Sequence, residues 1–214
     1  MIGIEKLSIE DLVGNLRVIR TNNGEREQAR ASGQVQPDAL RFVDELPRRF
    51  VWAHKDAPEM AERIRVVKDY RKAIHAITLA PWVTVFGEQT GLGKTSLINA
   101  AAREWANITP REVVNRAYYT RAREMALEVR WAALGKIPES ISRIRGASHW
   151  VLDGFGTEEK HFTNPFADLI NIRKEENQRT WVTTHMTEKE VKTRYGVDAF
   201  RALVDGALVL GELK

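Results

Sequence analysis

Apolar positions along this chain alternate between two spacings. A short run ending in Val83, Val85 and Phe86 predicts a buried strand, and so do His149–Asp153, Thr180–Thr184 and Ala207–Leu210. A further strand is predicted over Glu112–Thr120, with Val114 and Ala117-Tyr118-Tyr119 as its apolar part. Between these runs the spacing becomes helical. Met60, Ile64, Val67, Tyr70, Ile74 and Ile77 predict one long helix from about Pro58 to Leu79. Others are predicted at about Arg121–Leu134, Pro138–Arg145, Asn164–Glu176, Glu188–Arg194 and Asp198–Val204. Strands alternating with helices imply a parallel sheet covered on both faces, with right-handed crossovers. Near the N-terminus, Ser8 and Asp11 form a capping-box pattern before Ile9, Leu12, Val13 and Leu16. Residues Thr21–Pro37 carry almost no large apolar side chain and read as a linker, followed by a short helix from Asp38 to Leu46.

One junction carries chemistry. After the Val83 strand comes GEQTGLGKTS, and an apolar-periodic helix then runs through Leu97, Ile98 and Ala100. Strand, glycine loop and helix together make a phosphate-binding loop. Gly87, Gly91 and Gly93 let backbone N–H groups converge on phosphate oxygens, and the helix start at Lys94-Thr95-Ser96 adds partial positive charge. Lys94 is placed to reach the β- and γ-phosphates of ATP, and the Thr95 hydroxyl to ligate Mg²⁺. The spacing departs from the usual pattern: Glu88 occupies the first-glycine position, and Gly87 lies one residue earlier.

Such a loop needs an acid to hold the metal. Asp153 closes the apolar run WVLD, so a buried strand delivers its carboxylate to the sheet edge beside the loop. Thr95 and Asp153 are thus the expected Mg²⁺ residues. Gly154 follows, where hydrolytic relatives carry a second acid; Glu158 and Glu159 are the nearby substitutes.

Composition narrows the setting without changing the fold. The chain has 214 residues, 43% hydrophobic and 29% charged, which suits a soluble α/β core with a small appendage. It has no cysteine, which excludes disulfides and cysteine-rich zinc sites. No apolar run approaches a membrane span, and the N-terminus lacks signal-peptide architecture, so a cytoplasmic protein with no membrane partner is expected. Net charge is +4 and the pI about 9.4. Arg116, Arg121, Arg123, Arg130, Arg143 and Arg145 concentrate that bias in one region. They are compatible with contacts to single-stranded or duplex DNA, and equally with solvated helix faces.

WVLDGFGTEE, then FADLINIRKEENQRTWVTTH and RYGVDAFRALVDGALVL, resemble the DnaC-type helicase loaders and the IstB-type transposition helpers, both AAA+ ATPases. The resemblance runs from LPRRF (Leu46–Phe50) to the C-terminus. It implies an α/β P-loop NTPase: an AAA+ αβα sandwich on a mostly parallel five-stranded sheet, with no C-terminal lid. Residues 46–214 would be the ATPase domain and 1–45 a short helical partner-binding segment. Lys94 and Thr95 match the Walker A lysine and hydroxyl, and Asp153 the first Walker B acid. His185 stands where the family usually has a sensor Asn facing the γ-phosphate. The family's trans-acting arginine falls on Ala202; Arg201 is one residue away, about 100° around a helix, and Arg194 is a weaker substitute. The resemblance further implies ATP and Mg²⁺ as cofactors, a replicative helicase or a transposase as partner, and ATP-dependent homo-oligomerisation.

Three departures, at Gly154, at His185 and in the displaced arginine, bear on hydrolysis, while the binding residues are kept. The expectation is an accessory ATPase of replication or transposition with slow or partner-stimulated turnover. The alternative is a nucleotide-dependent scaffold that does not hydrolyse. A small-molecule P-loop kinase would need an arginine-bearing lid before the last strands, and Arg179–Leu210 has no such insertion.

Overall fold

The computed structural model describes residues 42, 46, 53–131, 137–159 and 163–211. Its elements are α1 (Glu59–Arg63), α2 (Tyr70–Leu79), β1 (Trp82–Val85), α3 (Lys94–Ile108), α4 (Arg111–Val114), β2 (Ala117–Arg121) and α5 (Ala122–Trp131). There follow α6 (Glu139–Gly146), β3 (His149–Phe155), α7 (Thr163–Glu175), β4 (Arg179–Thr184), α8 (Glu188–Tyr195), α9 (Val197–Val204) and β5 (Leu208–Leu210). The five strands form one sheet in the order β2-β3-β4-β1-β5. Every adjacent pair is parallel.

Alternate residues of each strand enter opposite cores, as the pleat requires. Val83, Val85, Val151 and Trp181 pack with α2 and α3 on one face. Trp82, Phe86, Trp150, Leu152 and Val182 pack with α5 to α9 on the other. Burial on both faces explains why the strands read as near-continuous apolar runs. Phe42 packs edge-on against Trp105, with ring centroids 5.8 Å apart, and so joins the first of these cores.

Three predicted elements are corrected. The long helix over 58–79 is two helices, because Ile64 leaves the helical region at φ −93°, ψ 105°. Asp69 then caps a new helix by accepting a hydrogen bond from Lys72 N at 3.1 Å. The strand placed over Glu112–Thr120 begins only at Ala117, since Pro110 starts the helical turn α4. Arg121 ends β2 and is not helical. The expected Ser8 helix, the 21–37 linker and the start of the 38–46 helix lie outside the described residues; Phe42 is helical, and Leu46, the expected end, is not.

β3 and β4 pair in register as far as Leu152↔Val182, then slip so that Phe155 faces Thr184. Three steps on β3 thus match two on β4, a bulge with Gly154 inside it at φ +77°.

Candidate functional site

β4 lies between β1 and β3, so the ends of three strands converge beside the N-terminus of α3. They enclose a cleft of about 520 Å³ lined by Gly93, Lys94, Thr95, Asp153, Thr183 and His185, among others. Gly91 and Ser96 also line it. Lys94 folds over the loop, and its Nζ donates to the carbonyls of Gly87 (2.6 Å) and Gln89 (3.0 Å). Burial lowers the Lys94 pKa, with Asp153 pulling the other way. Gly87 itself does not line the main cleft; it backs the lysine and borders a smaller adjoining cavity with Arg65 and Phe86.

The loop is fixed from behind. Leu92 O accepts from both Arg65 N and Val66 N at 3.0 Å, so the chain between α1 and α2 braces the glycine turn. Gly93 has φ +83°, and a Cβ there would lie 2.4 Å from Arg63 O, so only glycine fits. Glu62, Arg63 and Arg65 consequently line the cleft. Sequence periodicity hid these residues inside one long helix; Asp69, as a capping residue, was the available signal of a break.

Asp153 is the hub of the site. Its Oδ1 accepts from Thr95 Oγ1 at 2.9 Å and from Thr183 Oγ1 at 2.6 Å. Its Oδ2 accepts from the Tyr119 hydroxyl at 2.9 Å. Thr183 Oγ1 in turn accepts from Gly154 N at 2.9 Å, tying the bulge to β4. The Tyr119 pKa is raised, chiefly by burial and then by Asp153. Thr183 and Tyr119 carried no sequence signal beyond strand membership. Thr95 and Asp153 thus meet as the Mg²⁺ reading requires. Among the described residues no three acidic or histidine side chains cluster as a self-contained metal site. A hydroxyl plus one carboxylate suits an ion that takes its remaining ligands from phosphate and water, as Mg²⁺ does.

His185 is half-buried on the cleft wall. Its pKa is lowered by burial first and then by Lys94 and Arg194, against an opposing pull from Glu190. Glu158 is not on the cleft lining. It is buried, with Oε2 accepting from Gly156 N at 3.0 Å and Oε1 3.2 Å from Arg194 Nη2. Burial raises its pKa, against the pull of Arg194. Arg194 also donates to Gly156 O at 3.0 Å, so this pair staples the loop after β3 to α8. Glu159 is exposed, 3.9 Å from Arg130. Arg201 is exposed on α9, away from the cleft, whereas Ala202 is buried.

The arginine-rich region is partly absorbed by the fold. Arg121 Nη1 bonds Glu124 Oε1 at 2.7 Å, and Arg143 lies over the Tyr118 ring at 4.1 Å. Arg116, Arg123 and Arg145 are exposed. No helix of the described residues is long and apolar enough to cross a membrane.

No protein-family model matches the chain, and no curated protein matches it by sequence. Solved structures do match. The DnaC helicase loader aligns over 77% of this chain and 99% of its own, at 18% identity and TM-score 0.57. DnaI aligns over 77% and 94%, at 18% identity and TM-score 0.55. A candidate primosome component from Streptococcus pyogenes serotype M3 aligns over 85% and 100%, at 17% identity and TM-score 0.56. The resemblance read from the sequence is therefore borne out as a shared architecture: this chain has the α/β P-loop fold of the DnaC and DnaI structures.

Proposed function

We propose that this chain is an ATP-binding, AAA+-type accessory protein of DNA replication that works as a helicase loader. The observation that carries the reading is the site itself. Lys94 is held over a glycine loop at a helix start, with Thr95 and Asp153 joined at 2.9 Å beside it. The matching structures include a helicase loader and a primosome component, which favours replication over transposition.

Loop N–H groups and Lys94 would hold the phosphates, and Thr95 and Asp153 would hold Mg²⁺, which supplies charge neutralisation when bound. His185 would contact the γ-phosphate side as a neutral group, in keeping with its lowered pKa. Gly154 offers no carboxylate to orient water, and Glu158 is committed to Gly156 and Arg194. These two facts support slow turnover, and equally the second reading, a nucleotide-dependent scaffold. Arg201, exposed on α9, would act on a neighbouring copy in an ATP-dependent oligomer. Arg116, Arg123 and Arg145 would meet DNA phosphates. Residues 1–45 would grip the helicase.

Calorimetry with ATP·Mg²⁺ tests the site: the wild type binds, and Lys94→Ala loses binding while keeping its melting profile. Unchanged affinity in Lys94→Ala would refute the phosphate-loop assignment. Phosphate release below about 1 s⁻¹, the low end of ordinary enzyme turnover, is expected for the protein alone; no release even with helicase and DNA selects the scaffold. Affinity capture should retain a replicative helicase, and a transposase retained in its place would move the assignment to transposition. Reversing Arg116 and Arg123 to Glu should weaken single-stranded DNA binding and flatten its dependence on log salt. An unchanged slope would return those arginines to plain solvation.

A further inference from the structure

The Asp153 carboxylate takes hydroxyls from three separate elements, α3, β4 and β2, and the reading above uses only the first. The third, β2, is at the edge of the sheet. We propose that Tyr119 is a positioning residue for the metal acid, fixing the Asp153 carboxylate so that Oδ1 stays turned toward Thr95. The inference rests on the phosphate-loop reading of this cleft.

Register places the phenol where it can do this. Arg121 and Asp153 are partners across β2 and β3, and Tyr119 lies two residues back, on the same face of the sheet. Its ring is part of the core against α3, and its exposure is only 7%. The hydroxyl is therefore held by packing and meets Oδ2 at 2.9 Å. Among the described residues, no other hydrogen bond reaches Oδ2, whereas Oδ1 accepts from both Thr95 and Thr183. The division of labour follows. If the Thr95 hydroxyl turns to a metal, Thr183 still holds one carboxylate oxygen and Tyr119 the other, so the plane of the group does not rotate. The terminal torsion of an aspartate is otherwise broad. Partners that orient a metal-binding carboxylate from behind typically change metal affinity by roughly 10–100-fold.

The test is ADP binding to the full chain, titrated with Mg²⁺ and repeated in EDTA, for wild type and Tyr119→Phe. Phe keeps the ring and removes only the donor. The Mg²⁺ concentration that half-maximally tightens ADP binding should rise roughly 10–100-fold, while ADP affinity in EDTA stays at the wild-type value. In an Asp153→Asn background, adding Tyr119→Phe should change nothing, because no metal carboxylate remains to be oriented. An unaltered Mg²⁺ requirement overturns the proposal. So does equal weakening with and without metal, or further weakening in the Asp153→Asn background; both would make Tyr119 a packing residue only. If Tyr119→Phe fails to fold, wild-type protein carrying 3-fluorotyrosine at position 119 gives the reading. Its ¹⁹F resonance should move when Mg²⁺ is added to the ADP complex, and a resonance that stays put overturns the proposal. A wild type that binds no ADP would instead sink the nucleotide reading itself, and this inference with it.

Discussion

Replacing Gly154 separates two accounts of the missing second acid. In one, the position merely lacks a carboxylate, and Gly154→Glu should restore hydrolysis. The structure favours the other. Gly154 is the extra residue of the bulge between β3 and β4, with φ +77°. Its N–H is tied to Thr183 Oγ1 at 2.9 Å, and its carbonyl accepts from Thr157 N at 3.0 Å and Thr157 Oγ1 at 2.7 Å. A residue with a Cβ in this left-handed region costs about 1–2 kcal/mol. The Cβ would also lie 3.3 Å from Thr157 Oγ1 and 3.4 Å from Thr157 Cγ2. Thr157 is exposed and can yield, so backbone strain is the larger part. In a domain of this size 1 kcal/mol corresponds to about 2–4 °C in Tm, so Gly154→Ala and Gly154→Glu should each melt about 2–8 °C lower. Gly154→Asn should lose less, because Asn tolerates this region better than other side chains. Phosphate release by Gly154→Glu should not exceed that of Gly154→Gln, since strain at the bulge also displaces Thr183 from Asp153. Thermal melting and a continuous phosphate assay read both. Ala and Glu variants as stable as wild type would refute the strain. A rate that rises with Glu and not with Gln would show that only a carboxylate was missing.

Two further perturbations probe the scaffold under the site. His149 is fully buried, its ring 4.4 Å from that of Trp105 and 4.2 Å from that of Trp181, and neither of its nitrogens has a hydrogen-bond partner among the described residues. Burial, then Arg179 and Arg173, hold its pKa well below 6.5, so below that pH the unfolded chain gains a proton that the fold refuses. Stability should therefore fall by about 1.4 kcal/mol per pH unit as pH drops below 6.5; His149→Phe should remove that component in urea unfolding between pH 6.5 and 5, and identical slopes would refute it. Arg173 is fully buried and donates to Ile144 O, Ala147 O, Arg179 O, Gln178 Oε1 and Thr180 Oγ1. Burial lowers its pKa to about 10, so it remains a cation at neutral pH. Arg173→Leu orphans several carbonyls at about 1–3 kcal/mol each, so a loss of about 3 kcal/mol or more is expected, and a loss under ~1 kcal/mol would show that the cation itself is costly.

The sheet and the centre of the site were legible for one reason. Strands buried on both faces leave uninterrupted apolar runs, and a phosphate loop must sit between such a run and a helix. Gly93, Lys94, Thr95 and Asp153 followed directly from that grammar. Features set by contacts between distant segments did not. The α1–α2 break is stabilised by Leu92 O, which supplies a partner for the N–H groups of Arg65 and Val66, and no local period reveals such a partner. The Tyr119 hydroxyl looked like one more strand aromatic because its acceptor lies on a neighbouring strand. Glu158 looked available because its partner, Arg194, is far along the sequence. The arginine cluster read as one surface, although Arg121 sits at a strand end and binds Glu124. Local Pro110 and Asp69 signals were present and would have corrected two element boundaries.

The placement of these groups also bears on how binding and turnover relate. Lys94 and Thr95 sit at a helix start and Asp153 toward a strand end, and the hydroxyls around Asp153 come from three elements packed into one core. The positions from which a hydrolytic acid would come are occupied by structural duties. Gly154 makes the bulge, and Glu158 with Arg194 pins the following loop to α8. Freeing Glu158 toward the cleft would break its bonds to Arg194 and to Gly156 N, each charge-assisted hydrogen bond being worth about 1.5–3 kcal/mol. Movement of that loop is therefore expensive for the chain alone. A partner that accelerates turnover would have to supply charge from its own surface or stabilise an opened Glu158–Arg194 pair. The two routes differ in one variant: Arg194→Ala would raise basal phosphate release in the second and leave it unchanged in the first.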